Sequence, residues 1–93
     1  MNEIILEIVK ARLNRAPCDS ALDEYLLQRI DAAIMELKDK GITAENNTRD
    51  CVLIADLVVW QYQNRDKPGG MPDWLRLTLR ERWIAEGKNG VAG

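Results

Sequence analysis

The side chains that could do chemistry in this chain are its carboxylates, its arginines and two thiols, because it contains no histidine. Without an imidazole there is no ready base near neutral pH. No GxSxG elbow, phosphate-binding glycine loop or metal-ligand spacing takes its place. Cys18 and Cys51 stand far apart and form no CxxC pair. Without histidine they cannot form the usual zinc set. Cys51 lies in an apolar run and reads as a small core residue, and reduced thiols made in the cytosol are the expectation. The pairs Asp19/Asp23 and Asp23/Glu24 sit where a helix starts, which is ordinary capping and dipole chemistry. Gly69-Gly70 reads as a turn. The expectation is a protein that is not an enzyme and needs no cofactor or metal.

Two polar features remain. Asp56 stands inside Cys51–Trp60, which is otherwise apolar. A carboxylate buried there unpaired would cost several kcal/mol, so a partner is expected, with Arg29, Arg49 and Arg82 as candidates, or else a position at a rim or a pair with another subunit. Arg76, Arg80 and Arg82 share a segment with Trp74 and Trp83. The bland reading is a solvated face balanced by Asp73, Glu81 and Glu86. The functional reading is a protein-contact stripe, because tryptophan and arginine are enriched at the energetic centres of interfaces. Tyr62, Arg65, Trp74, Arg76, Arg80 and Trp83 are the candidate contact residues.

The elements that would carry these residues are helices. Ile5, Ile8, Val9 and Leu13 fall on one face of a helix over residues 2–14, and Ile4 and Leu6 widen that face beyond what one neighbour would cover. Pro17 breaks the pattern, and Asp19 or Ser20 caps a second helix over 20–40. Its stripe is Leu22, Leu26, Ile30, Ala33, Ile34 and Leu37. Gly41 is placed as a left-handed C-cap with Ile42 folding back onto the last turn. Asn47 or Thr48 caps a third helix running to about residue 64, apolar nearly all round and therefore surrounded by its own fold or by other subunits. Its β-branched content would also suit a strand, but its length and charged flanks favour helix. Arg65 to Gly70 is a polar turn, Pro72 sits near the first position of a fourth helix, and Gly87 ends that helix. Leu75, Leu79 and Trp83 share one of its faces, with Trp74 and Leu77 beside it. The reading is a small all-α four-helix bundle: one domain over residues 1–86 and a flexible tail over 87–93.

With 93 residues, the chain buries only about 60–65% of its unfolded surface, a thin margin of stability. Its net charge of −2 offers no general attraction to nucleic acid or anionic lipid. Neither a signal peptide nor a membrane span is legible, so no membrane contact is expected. Three tryptophans in the C-terminal half are a large apolar load for four short helices. With the wide face of the first helix, they point to self-association.

Three stretches carry a resemblance: Val9-Lys10-Ala11-Arg12-Leu13, then Asp23-Glu24-Tyr25-Leu26-Leu27 running into Ile30-Asp31-Ala32-Ala33-Ile34, and Val59-Trp60-Gln61-Tyr62-Gln63-Asn64-Arg65-Asp66. Together they resemble the head–tail connector (adaptor) proteins of tailed bacteriophages and prophages. Met71-Pro72-Asp73-Trp74-Leu75-Arg76 through Arg82-Trp83 is similar to the closing helix of connectors from phages of Gram-positive hosts. The chain departs from the pattern in its Pro17-Cys18 linker and its short glycine-rich tail. The resemblance implies a homo-oligomeric ring, typically twelve-fold, at the head–tail junction of the virion. Its partners would be the portal protein and a tail-completion or head-closure protein, with DNA only passing through the channel. A small DNA-binding helical module, of the small-terminase or regulator type, is the alternative, and the fourth helix is its one candidate for a recognition helix.

Overall fold

A computed structural model describes residues 1–14, 20–66 and 69–91. It is a small all-α domain of four helices: α1 (Asn2–Leu13), α2 (Ser20–Asp39), α3 (Thr48–Gln63) and α4 (Asp73–Val91). Helices α1, α2 and α3 pack on one another, while α4 packs on α3. The Pro17-Cys18 break and the Asp19 cap lie outside the described residues.

The ends of the helices follow local chemistry. Asn14 closes α1 in the left-handed conformation, which asparagine tolerates better than most residues. Gly41, at φ 91°, ends α2. Its N–H donates to the Lys38 carbonyl at 3.0 Å, and the Ile42 N–H donates to the Leu37 carbonyl at 2.8 Å. This is the paired Schellman pattern, and it folds Ile42 into the core beside Leu37. The Asn47 side chain caps α3 by accepting from the Asp50 N–H at 2.8 Å. The Pro72 carbonyl accepts from the Arg76 N–H at 3.0 Å, so Pro72 stands one position before α4 rather than inside it. Gly87 does not end α4, which continues to Val91. A glycine inside a helix costs about 1 kcal/mol relative to alanine and does not forbid the next turn.

The core runs along α3. Cys51, Leu53, Ile54, Ala55, Leu57 and Val58 are all buried there, on several sides of one helix. Helix α3 can be apolar nearly all round because α1, α2 and α4 all pack against it. From α2 come Leu26, Ile30, Ala33 and Leu37, with Leu22 and Ile34 partly buried beside them. The wide apolar face of α1 is explained by its two neighbours. Ile5 and Val9 are fully buried, Leu6, Ile8 and Leu13 pack against the core, and Ile4 stays exposed.

Asp56 pairs with Arg12 of α1, not with Arg29, Arg49 or Arg82. The spacing along α3 turns Asp56 to the rim where the end of α1 passes, and of the two cations on that last turn Lys10 pairs with Asp23 and Arg12 reaches Asp56. Arg29 instead donates to Gln61 at 3.0 Å. Arg49 and Arg82 both reach Asp50.

Candidate functional site

Helix α4 carries most of the residues singled out from the sequence, and one buried ion pair anchors it. Arg82 is 4% exposed and Asp50 1%. The guanidinium meets the carboxylate with two nitrogens: Nε donates to Oδ1 at 2.8 Å and Nη2 to Oδ2 at 3.1 Å. Nη2 also donates to the Thr43 carbonyl at 2.9 Å, and Nη1 to Glu86 at 3.2 Å. The Glu45 N–H donates to Asp50 at 2.8 Å, and the Thr43 N–H to Glu86 at 3.0 Å. Nearly every donor and acceptor of the pair is used, which is what keeps a buried charge pair tolerable. The cluster clamps α4 to the start of α3 and to the loop over 42–47.

Burial pushes the Asp50 carboxyl up, but the Arg82 hydrogen bonds, the Glu45 N–H and the charges of Arg82 and Arg49 outweigh burial and hold it below its ordinary value. The Asp50 hydrogen bond raises Arg82 further, against the desolvation that opposes it. The Thr43 N–H, then Arg82, hold Glu86 below its ordinary value. Among the described residues, no group of His, Cys, Asp and Glu could hold a metal ion.

The solvated-face reading does not hold for Arg82. It stands seven residues after Leu75 and three after Leu79, which is the spacing of a shared helix face. Leu75 and Arg82 are both buried. Trp83, read from the sequence as sharing a face with Leu75 and Leu79, sits at the edge of that face and remains 55% exposed. A Cβ built on Gly41 would come within 3.3 Å of the Trp83 indole nitrogen, so one side of the ring rests on the turn that ends α2.

Of the six candidate contact residues, Arg76, Arg80 and Trp83 converge on one groove of about 420 Å³ between α4 and the end of α2. Leu37, Ile42, Met71 and Leu79 supply its apolar wall, and Lys40 adds a third cation. Arg76 pairs with Asp73 at 2.6 Å. Lys40 and Arg80 make no ion pair among the described residues. The other three lie elsewhere. Trp74 borders a cleft with Arg12, Asp56 and Trp60. Tyr62 meets Tyr25 edge to face, with ring centres 6.1 Å apart, and the Arg65 guanidinium stacks 4.4 Å from the centre of the Tyr62 ring. Tyr62 thus joins the end of α3 to the first turns of α2, and Arg65 stacks on that end.

Apolar residues occur on both sides of α4. Leu77 and Ile84 are exposed, seven residues apart, and each stands two positions, or about 200° of helix rotation, beyond buried Leu75 and Arg82. Trp74 is exposed as well. The sequence-level stripe captured the inward half of this pattern. The outward half, Leu77 with Ile84, was legible as a heptad spacing.

No helix among the described residues is long and apolar enough to cross a membrane. No protein-family model, no curated protein and no solved structure matches the chain.

Proposed function

We propose that this chain is a structural, ring-forming subunit of the head–tail connector type, joining a phage portal to the tail machinery. The observation that carries the reading is the outer side of α4. Trp74, Leu77 and Ile84 stand exposed on a helix whose opposite side is pinned by Arg82 and Leu75. A rigidly held helix that presents tryptophan, leucine and isoleucine to water is suited to a protein partner, because covering such side chains stabilises by about 1.5–3 kcal/mol each. The motif resemblance supplies the kind of partner: copies of the chain itself, the portal above and a head-closure protein below.

A nucleic-acid-reading role fits less well. Of the three arginines on α4, Arg82 is buried against Asp50 and Arg76 is paired with Asp73, so the helix carries little free positive charge for phosphates.

Native mass spectrometry and negative-stain electron microscopy, on the protein alone over rising concentration and then mixed with purified portal rings, test the proposal. Closed oligomers, or a stoichiometric layer on the portal, are expected. A species that stays monomeric to millimolar concentration and leaves portal rings bare would end the reading.

A further inference from the structure

The groove bordered by Arg76, Arg80 and Trp83 has a counterpart of opposite charge on the same molecule. Between α1 and α2 lies a second groove, of about 580 Å³, whose apolar wall is Leu6, Ala11 and Leu27. Glu3 and Glu7 border it, with Lys10 and Asp23, which pair with each other at 2.7 Å. Glu3 and Glu7 are exposed and make no ion pair among the described residues. One groove therefore carries unpaired Lys40 and Arg80 beside an exposed indole, with Arg76 held only in a solvent-exposed pair with Asp73, and the other carries unpaired carboxylates beside an apolar wall.

The spacing matches as well as the sign. Glu3 and Glu7 are four residues apart on α1, and Arg76 and Arg80 are four apart on α4. At 1.5 Å per residue, each pair spans about 6 Å along its helix. Two antiparallel or parallel helix edges can then align both charge pairs at once. The Trp83 ring lies one turn beyond Arg80, with one side on the Gly41 turn and its exposed side open to the apolar part of the opposing groove. The charges at the rim would set orientation and encounter rate, and the indole would supply the buried contact.

The two grooves cannot meet within one molecule. They touch α2 at Leu27 and at Leu37, ten residues or about 15 Å apart along a straight helix. A contact between them joins different surfaces of two copies, which is a head-to-tail interface. Such an interface generates a ring when its rotation closes. We propose that the α4 edge bearing Arg76, Arg80 and Trp83 of one subunit seats in the α1–α2 groove bordered by Glu3 and Glu7 of the next. This proposal rests on the ring-forming reading and specifies its subunit contact.

Paired charge reversals test it, read by sedimentation velocity, with circular dichroism to show unchanged helix content. Arg76→Glu with Arg80→Glu, and separately Glu3→Lys with Glu7→Lys, are each expected to weaken self-association at least tenfold. An equimolar mixture of the two variants should associate again, because each presents a groove complementary to the other's opposite edge. The chain carrying all four reversals should likewise regain association. If the wild-type chain associates and both variants associate equally well, or the mixture stays dissociated, the assigned contact is wrong while ring formation stands. A wild-type chain that never associates overturns both.

Discussion

Arg82 touches Asp50 through two nitrogens, Thr43 through a third hydrogen bond and Glu86 through a fourth, and none of these partners is near it in sequence except Glu86. Truncating one member leaves the other charged and buried. Arg82→Met is expected to lower stability by about 3–5 kcal/mol, measured by urea unfolding. Asp50→Asn with Arg82→Met should recover part of that loss, because no orphaned charge remains. The pH dependence follows from the same pair. The Asp50 carboxyl is held below its ordinary value of 3.8 in the fold, so its stabilisation is complete above the unfolded value and is lost as pH falls through the folded one. Thermal unfolding should show a flat melting temperature from pH 7 to about pH 5 and a steep fall below about pH 4. The Asp50→Asn chain should start lower and fall less. Arg82, raised from an already high value, stays cationic throughout and contributes no slope in this range.

At the scale of elements, two glycines make opposite predictions. Gly41 sits at φ 91° with the Trp83 indole 3.3 Å from where a Cβ would stand. Gly41→Ala should cost 1 kcal/mol or more by thermal or urea unfolding, from the strained backbone and the displaced ring. Gly87 lies inside α4 with nothing within 4 Å of the added methyl. Gly87→Ala should raise stability by about 0.5–1 kcal/mol in the same measurement. The contrast also tests where α4 ends, since a glycine beyond the helix would show little gain. Asn47 is the third lever on an element: Asn47→Ala removes the α3 cap and should cost about 1 kcal/mol, with Asn47→Asp close to neutral.

For the whole molecule, the distribution of apolar surface decides behaviour. Trp74 and Trp83 are both more than half exposed, whereas Trp60 is partly buried against the core. Association through α4 should therefore shift the average tryptophan emission to shorter wavelength as concentration rises. Leu77→Glu with Ile84→Glu should leave the fold stable, because neither side chain packs in the core. If α4 is a contact surface, the same pair should abolish the layer on portal rings seen by electron microscopy. Retained binding by that variant would move the contact away from the outer side of α4.

The helices, the Gly41 cap and most of the core were legible from residue type and spacing, because these depend on neighbours a few positions away, whereas the end assigned to α4 at Gly87 was not. The α2 stripe, the Gly41 turn with Ile42 folding back and the all-round apolar α3 each follow from local sterics and helical period, while the choice of Asn47 over Thr48 as the α3 cap came from the structure. Partner choice was not legible. Asp50 reads as an ordinary carboxylate in a first helical turn, and only the docking of α4 on α3 brings Arg82, thirty-two residues away, against it. The same docking decided that Arg82 turns inward and Trp83 outward. At the edge of a face, helical period allows either, and the choice goes to whichever side chain finds its hydrogen-bonding partners across the interface. Asp56 chose Arg12 for a similar reason: many arginines could serve, and the path of α1 past α3 selects one. A single chain specifies its local geometry through sterics, but a pairing between distant charges exists only after packing has set which surfaces meet.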